Sequence, residues 1–354
     1  MSAVTLRHAT HLRDLGPEGL GEVIARALAF KRHAPGKHLE GKLLGMLFFN
    51  PSLRTRASFE AVMKRGGGDA VVLEVGNGMW KLEDRDGVAM DGDRAEHVRE
   101  AVPVLARYCD ALAVRTFSAG VSDDDDEADP VIGAFRRFLT VPVVSMESAR
   151  EHPCQGLADM LTVHERFGAT RGVPVTLTWA PHVKPLPKAV PASFLMSAAA
   201  AGCEVRVAHP AGFELPAAVR AEAEAYAAGS GGSIRYTDDQ AAALAGTRVV
   251  YAKAWGPATS ATLQRATDQG ASGRSGGSPA RDPSTALAQR TWMPTRAHLE
   301  RAARDAVLMH CLPVRRDVEV AAEALDSPRC AVVDQAANRF HAQRALLDML
   351  FNGG

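Results

Sequence analysis

The chain has 354 residues, of which 46% are hydrophobic and 23% charged, enough for two domains of ordinary globular composition. Lys+Arg and Asp+Glu both number 41, a balance that argues against general attraction to nucleic acid or to membrane surfaces. No apolar run approaches a membrane span, "MSAVTLRHATHLRDLG" is too polar for a secretion signal, and the five cysteines lack paired spacing, so the expectation is a cytoplasmic protein with reduced thiols.

In chain order, "KLLGMLFF" (42–49), "AVVLEV" (70–75), "DALAVR" (110–115) and "VPVVSM" (141–146) read as strands. The acidic run "SDDDDEAD" (122–129) reads as a solvated loop rather than a metal site, because consecutive acids cannot all face one ion. Apolar residues at helical spacing in "GLADMLTVHERF" (156–167) predict a helix. A second series of strands follows: "VTLTW" (175–179), "CEVRVA" (203–208), "RVVYA" (248–252) and "AVLMH" (306–310). Between them, "PHVKPLPKAVP" (181–191) carries four prolines and reads as a stiff extended loop, and "DQGASGRSGGSPARDPS" (268–284) is low-complexity. Strands separated by helix-length segments indicate an α/β protein with two doubly wound parallel sheets. The expected division is 1–152 with a C-terminal helix 340–354 for one domain, and 153–339 for the other.

The most informative stretch is "FFNPSLRTRASFEAVMKR" (48–65). An apolar strand ends at Phe49, and Ser52, Arg54, Thr55 and Arg56 crowd the turn into an amphipathic helix. Free N–H groups at a helix start favour an anion, hydroxyls add donors, and guanidinium matches phosphate bidentately. A helix cap explains Ser52 alone, so phosphate binding is the reading that covers the cluster. Other strand ends offer matching chemistry: Arg115 closes "ALAVR", "HPCQ" (152–155) opens a helix, "HCLPVRR" (310–316) ends a strand, and "NRFH" (338–341) follows "AVVD". In open α/β folds, ligands sit beyond the carboxyl ends of strands. His152, Cys154, His310 and Cys311 fit no common zinc spacing, so no metal is expected.

"SLRTR", Arg115, "HPCQ", "HCLP" and "NR" together resemble the aspartate/ornithine carbamoyltransferase family, and they run from residue 52 to 339. The resemblance implies two α/β domains, a homotrimer with active sites between domains, and carbamoyl transfer from carbamoyl phosphate to an amine without metal or organic cofactor. It implies that Ser52, Leu53 through its backbone, Arg54 and Thr55 hold phosphate, and that Arg339 completes the anion site. Arg115, His152 and Gln155 then bind or polarise the carbamoyl group, and Cys311 and Leu312 hold its amide end. Donors preorganised around the carbonyl oxygen stabilise charge developing there.

Residues 249–254, "VVYAKA", end a strand on Lys253. Ornithine carbamoyltransferases carry an aspartate there, facing the α-ammonium of ornithine. Lys253 repels that ammonium but suits the α-carboxylate of an ornithine whose α-nitrogen is acylated; the alternative is an internal ion pair. "TWAPHVKPLPKAVPASF" (178–194), "YAKAW" and "MHCLPVRR" resemble the branch acting on N-acetylornithine and N-succinylornithine. That resemblance implies that Glu147, His182, Lys253 and Arg315 contact the acylated substrate. It further implies that Trp80 reaches the carbamoyl phosphate site of a neighbouring subunit and that a trefoil knot threads the second domain. Ala95, just after "MDGD", stands where acetyl-type enzymes have glutamate and succinyl-type enzymes proline; alanine does not repel the extra carboxylate of a succinyl group, which leans toward succinyl and leaves acetyl open. Glu319, a lysine in some acetyl-type enzymes, is expected to orient Lys253 or a neighbouring cation. Gln335, where the family often has glutamate, carries no assigned role. The remaining alternatives are transfer to free ornithine and a non-catalytic anion-binding paralogue; the absence of Gly-x-Gly-x-x-Gly after a strand argues against a dinucleotide-binding protein.

Overall fold

The computed structural model describes residues 6–33, 36–118, 122–257 and 291–353. The chain divides into two compact units, one of residues 1–119, 125–166 and 336–354, the other of residues 120–124 and 167–335.

The first unit contains β1 (Leu43–Phe48), β2 (Asp69–Glu74), β3 (Lys81–Glu83), β4 (Arg94–His97), β5 (Ala111–Arg115) and β6 (Val143–Glu147). Four of these form an all-parallel sheet in the order β2-β1-β5-β6. A parallel sheet is covered on both faces, so its strands are continuous apolar runs; β5 and β6 are buried throughout. Leu47, Leu112, Val114 and Val143 pack with Val98 and Val102 of helix Val98–Leu105 and with Ile132 and Phe135 of helix Pro130–Phe138. From β1 the chain steps outward to β2 and returns on the other side of β1 to β5. The strand order therefore reverses between β1 and β5, where α/β folds open a ligand crevice. Register sets Phe48 beside Arg115 and, after an irregular step at Val114, Arg115 beside Glu147.

The second unit repeats this logic with β7 (Pro174–Trp179), β8 (Glu204–Ala208), β9 (Ser233–Thr237), β10 (Val249–Lys253) and β11 (Val307–Met309), all parallel in the order β11-β10-β7-β8-β9. Val250, Ala252 and Leu308 pack with Leu299, Val320 and Leu325. Here the order reverses between β7 and β10, and Lys253 lies in register with Trp179 at the carboxyl ends of those strands.

Three local expectations change. The acidic run is helical over Asp123–Ala128, although no residue of that helix is buried, and Asp129 after it is buried against His11. Aspartates at the start of a helix complement its dipole, and Glu127 near its end accepts from Arg150 Nε at 2.8 Å. "AVVD" is not a strand: helix Val332–Asn352 begins there, and Arg339 lies inside it. Its apolar residues continue at helical spacing through Ala342, Leu346 and Leu350, all buried, which outweighs one short β-branched run. Of the proline-rich segment, 181–188 is irregular, but helix Ala189–Ala200 starts within it. Pro191 sits in the first turn, where its missing N–H costs nothing. Residues 268–284 lie outside the described ones. Among the described residues, no helix is long and apolar enough to cross a membrane.

Candidate active site

In the first unit, helix Leu53–Arg65 begins directly after the turn that leaves β1. Ser52 caps it, its Oγ accepting from Thr55 N–H at 3.3 Å. Leu53 is 81% exposed, so its side chain packs little. Thr55 is fully buried, and its Oγ1 accepts from Arg339 Nη2 at 2.8 Å, which ties the C-terminal helix to the cradle. Arg115 donates to Glu147 Oε2 at 2.5 Å and lies over the Phe117 ring. The same carboxylate oxygen is 3.8 Å from His152 Nε2. His152 stands immediately before helix Pro153–Phe167; Gln155, in its first turn, donates Nε2–H to Asp159 at 2.7 Å.

Charge accumulates here. Burial holds His152 well below the usual histidine pKa, and the Arg339, Arg115 and Arg54 guanidiniums push the same way, so the imidazole is neutral at pH 7. Burial also weakens the hold of Arg339 on its proton, yet guanidinium stays charged near neutrality. The Arg54, Arg115 and Arg339 guanidiniums thus surround a neutral imidazole, with the Glu147 carboxylate on Arg115. Arg115 Nε, Arg339 Nε and Gln155 Oε1 are buried and have no hydrogen-bond partner among the described residues. A site with that balance and spare donors suits a small dianion carrying a carbonyl.

Trp80 and Ala95 stand together on the β3–β4 ribbon of the same unit. Trp80 is 58% exposed, and its Nε1 donates to Glu96 Oε2 at 2.8 Å. The β3–β4 register slips between Lys81 and Leu82, whose partners are Arg94 and Glu96, so Ala95 falls in the bulge and is exposed.

The second unit gathers the other named residues beyond β7, β10 and β11. Lys253 is 7% exposed, and its Nζ donates to the Ala254 carbonyl at 3.0 Å. No carboxylate among the described residues lies within ion-pairing distance of that Nζ. Arg315 donates Nε–H to His182 Nε2 at 3.2 Å, and His182 Nδ1 faces both the Lys184 N–H at 3.2 Å and the Lys184 carbonyl at 2.8 Å. Burial first, then the Lys253 and Arg315 charges, lower the His182 pKa. Glu319 is buried and accepts Arg315 N–H at 2.8 Å. Burial alone would raise its pKa, but the neighbouring His310 ring, the Lys253 charge and the Arg315 N–H lower it overall. Cys311 and Leu312 follow His310, and Leu312 has φ +56°. The sequence singled out Glu319 and Gln335 without their partner, His310; a contact across 25 residues leaves no local signal. Among the described residues, no group of three or more His, Cys, Asp or Glu side chains could hold a metal ion.

Fold and site define an α/β protein with a cationic anion pocket in one unit and a buried lysine at a strand end in the other. Residues 7–165 match the carbamoyl-P binding domain, and residues 188–350 the Asp/Orn binding domain, of aspartate/ornithine carbamoyltransferases. The chain is 37% identical over 350 residues to an N-acetylornithine carbamoyltransferase of Xanthomonas campestris pv. campestris, covering 98% of each. It is 34% identical over 352 residues to an N-succinylornithine carbamoyltransferase of Bacteroides thetaiotaomicron, covering 98% of this chain and 99% of that one. A solved N-acetyl-L-ornithine transcarbamylase, with one glutamate replaced by alanine and complexed with carbamyl phosphate and N-succinyl-L-norvaline, superposes with a TM-score of 0.87 at 36% identity, over 98% of this chain and 100% of that one. The chain belongs to the aspartate/ornithine carbamoyltransferase family.

Proposed function

We propose that the chain transfers the carbamoyl group of carbamoyl phosphate to the δ-amine of an N-acylated L-ornithine, giving an N-acylcitrulline and phosphate, a step of arginine biosynthesis. The observation that carries this reading is Lys253. A buried ammonium without a carboxylate partner is costly, and an α-carboxylate beside an uncharged acylated nitrogen meets that cost where a free α-ammonium would add to it. Arg315 adds a second positive charge, and both it and Lys253 lower the pKa of His182. The relatives named for acylated ornithines support the substrate class.

On this reading Ser52, the Leu53 amide, Arg54, Thr55 and Arg339 hold the phosphate. Arg115, His152 and Gln155 polarise the carbamoyl oxygen, Glu147 orients Arg115, and the Cys311 and Leu312 carbonyls take the carbamoyl amide. The neutral δ-amine attacks the carbonyl carbon, and the C–O bond to phosphate breaks with its electrons on the leaving oxygen. The departing phosphate accepts the amine proton. Positioning and preorganised charge supply much of the rate. Trp80 completes the phosphate site of a neighbouring copy in a homotrimer. By the family resemblance Ala95 stands where acetyl-type enzymes carry a glutamate, and a relative with one glutamate replaced by alanine, solved with N-succinyl-L-norvaline, supports room for a succinyl chain beside an alanine.

The test offers carbamoyl phosphate with ornithine, N-acetylornithine and N-succinylornithine in parallel. Turnover of an acylated form only is expected, and the preferred one identifies what Ala95 admits. Lys253→Met should lower kcat/KM for that substrate by roughly 10–100-fold, the worth of a charged hydrogen bond. Turnover of free ornithine alone would overturn the reading.

A further inference from the structure

We propose that Glu319 and Gln335 are positioning residues, Glu319 facing the His310 ring and Gln335 holding its backbone N–H, and that the His310 ring, in one tautomer, in turn fixes the backbone of Cys311 and Leu312. This rests on the proposed carbamoyl transfer, in which those two carbonyls take the carbamoyl amide.

His310 directly follows β11 and is fully buried. Three groups fix it. Its own N–H donates to Gln335 Oε1 at 2.8 Å. Its Nδ1 accepts the N–H of Leu312 at 2.9 Å. Its Nε2 lies 3.6 Å from Glu319 Oε1, whose partner oxygen is occupied by Arg315 N–H. An acceptor nitrogen carries a lone pair, so the proton of a neutral His310 is on Nε2, the nitrogen that faces the carboxylate. Leu312 has φ +56°, a region that non-glycine residues occupy only where the surroundings impose it. The Nδ1 acceptor, reaching back two residues, is such a constraint. The backbone of 310–312 is thus tied to the His310 ring and to helix Val332–Asn352, and Glu319 of the following turn faces that ring.

The chemistry also accounts for the amide at Gln335. It accepts the His310 N–H without adding charge.

The first measurement is ¹⁵N NMR of the histidine rings in the full chain at neutral pH, with the His310 signals assigned by their loss in His310→Asn. A bare Nδ1 and a protonated Nε2 are expected; a protonated Nδ1 would overturn the proposal. The second compares His310→Asn with His310→Gln. The asparagine oxygen falls near the place of Nδ1, whereas the glutamine amide falls near that of Nε2. His310→Asn should keep kcat within about 10-fold, and His310→Gln should lose about 100-fold or more, the scale of a slightly misplaced reacting group. Equal losses, or a better glutamine variant, would refute it. If the unaltered chain carbamoylates no ornithine, the functional reading fails, and the ring tautomer still decides the positioning. The tautomer also decides if either variant does not fold.

Discussion

Arg339 is held more tightly than any surface arginine could be. It is 3% exposed, it donates to the Thr55 hydroxyl, and its Nε is aimed at no protein acceptor among the described residues. Its planar fork can therefore give one arm to the protein and keep another for an anion. Arg339→Lys preserves the charge and removes the fork. Carbamoyl phosphate affinity, measured by titration calorimetry, should fall roughly 10–100-fold, since a charged hydrogen bond is worth about 1.5–3 kcal/mol. Unchanged affinity would remove Arg339 from the anion site. The two halves of this contact differ in legibility. Thr55 stands in a dense local cluster whose chemistry can be read from eight or so residues of sequence. Arg339 lies 284 residues further on inside a helix, and only family resemblance brought the two together. Lys253 was legible because a cation at the buried end of a strand is conspicuous in any sequence. The His310 contacts were not, because both partners are ordinary polar residues on other elements.

At the scale of elements, apolar content decided what could be foreseen. Eight of the nine strands of the two parallel sheets stand out as apolar runs, because both faces of such a sheet must be covered. The strands that escaped are polar: "KLE" and "RAEH" in the exposed ribbon, and "SIRYT" at the edge of the second sheet, where only partial burial is required. The helix at Leu53 was foreseen together with its cap, and that cap poses a choice. Ser52 Oγ either only satisfies Thr55 N–H or also serves the phosphate. Ser52→Asp separates the two roles. Aspartate caps as well as serine and suits the helix dipole, so the melting temperature should hold, whereas Ser52→Ala should cost about 1 kcal/mol. The new carboxylate would repel a dianion, so Ser52→Asp should lower carbamoyl phosphate affinity at least about 10-fold while remaining folded. Retained affinity would leave Ser52 as a cap alone.

At the scale of the whole molecule, equal numbers of acidic and basic groups, 41 each, place the sequence pI near 7.2. Small changes in histidine charge then set how stability responds to acid. Burial, first among its causes in each case, lowers the pKa of His8, His152, His182, His298 and His341, the last to about 4. In the unfolded chain these groups take up protons near pH 6.5, whereas in the folded chain they resist. Below pH 6.5 the unfolded state therefore binds more protons, and stability falls as pH falls. Their contribution is fully present above the unfolded pKa and is lost progressively toward the folded one, for His341 between about 6.5 and about 4. Asp14 and Glu319 extend the loss further down. In both, hydrogen bonds and neighbouring cations outweigh burial and lower the pKa, so protonation below the ordinary carboxylate range removes what they add. The melting temperature should accordingly hold above pH 7 and decline as the pH falls through about 6.5 to 5.5. His152→Gln isolates one histidine, because it removes a buried imidazole that stays neutral. Below pH 6.5 each unit of acidification costs about 1.4 kcal/mol per such group, so the variant should show a shallower slope than the parent even if it starts less stable. Parallel slopes would mean that His152 titrates alike in both states, and that the three guanidiniums around it do not hold it neutral.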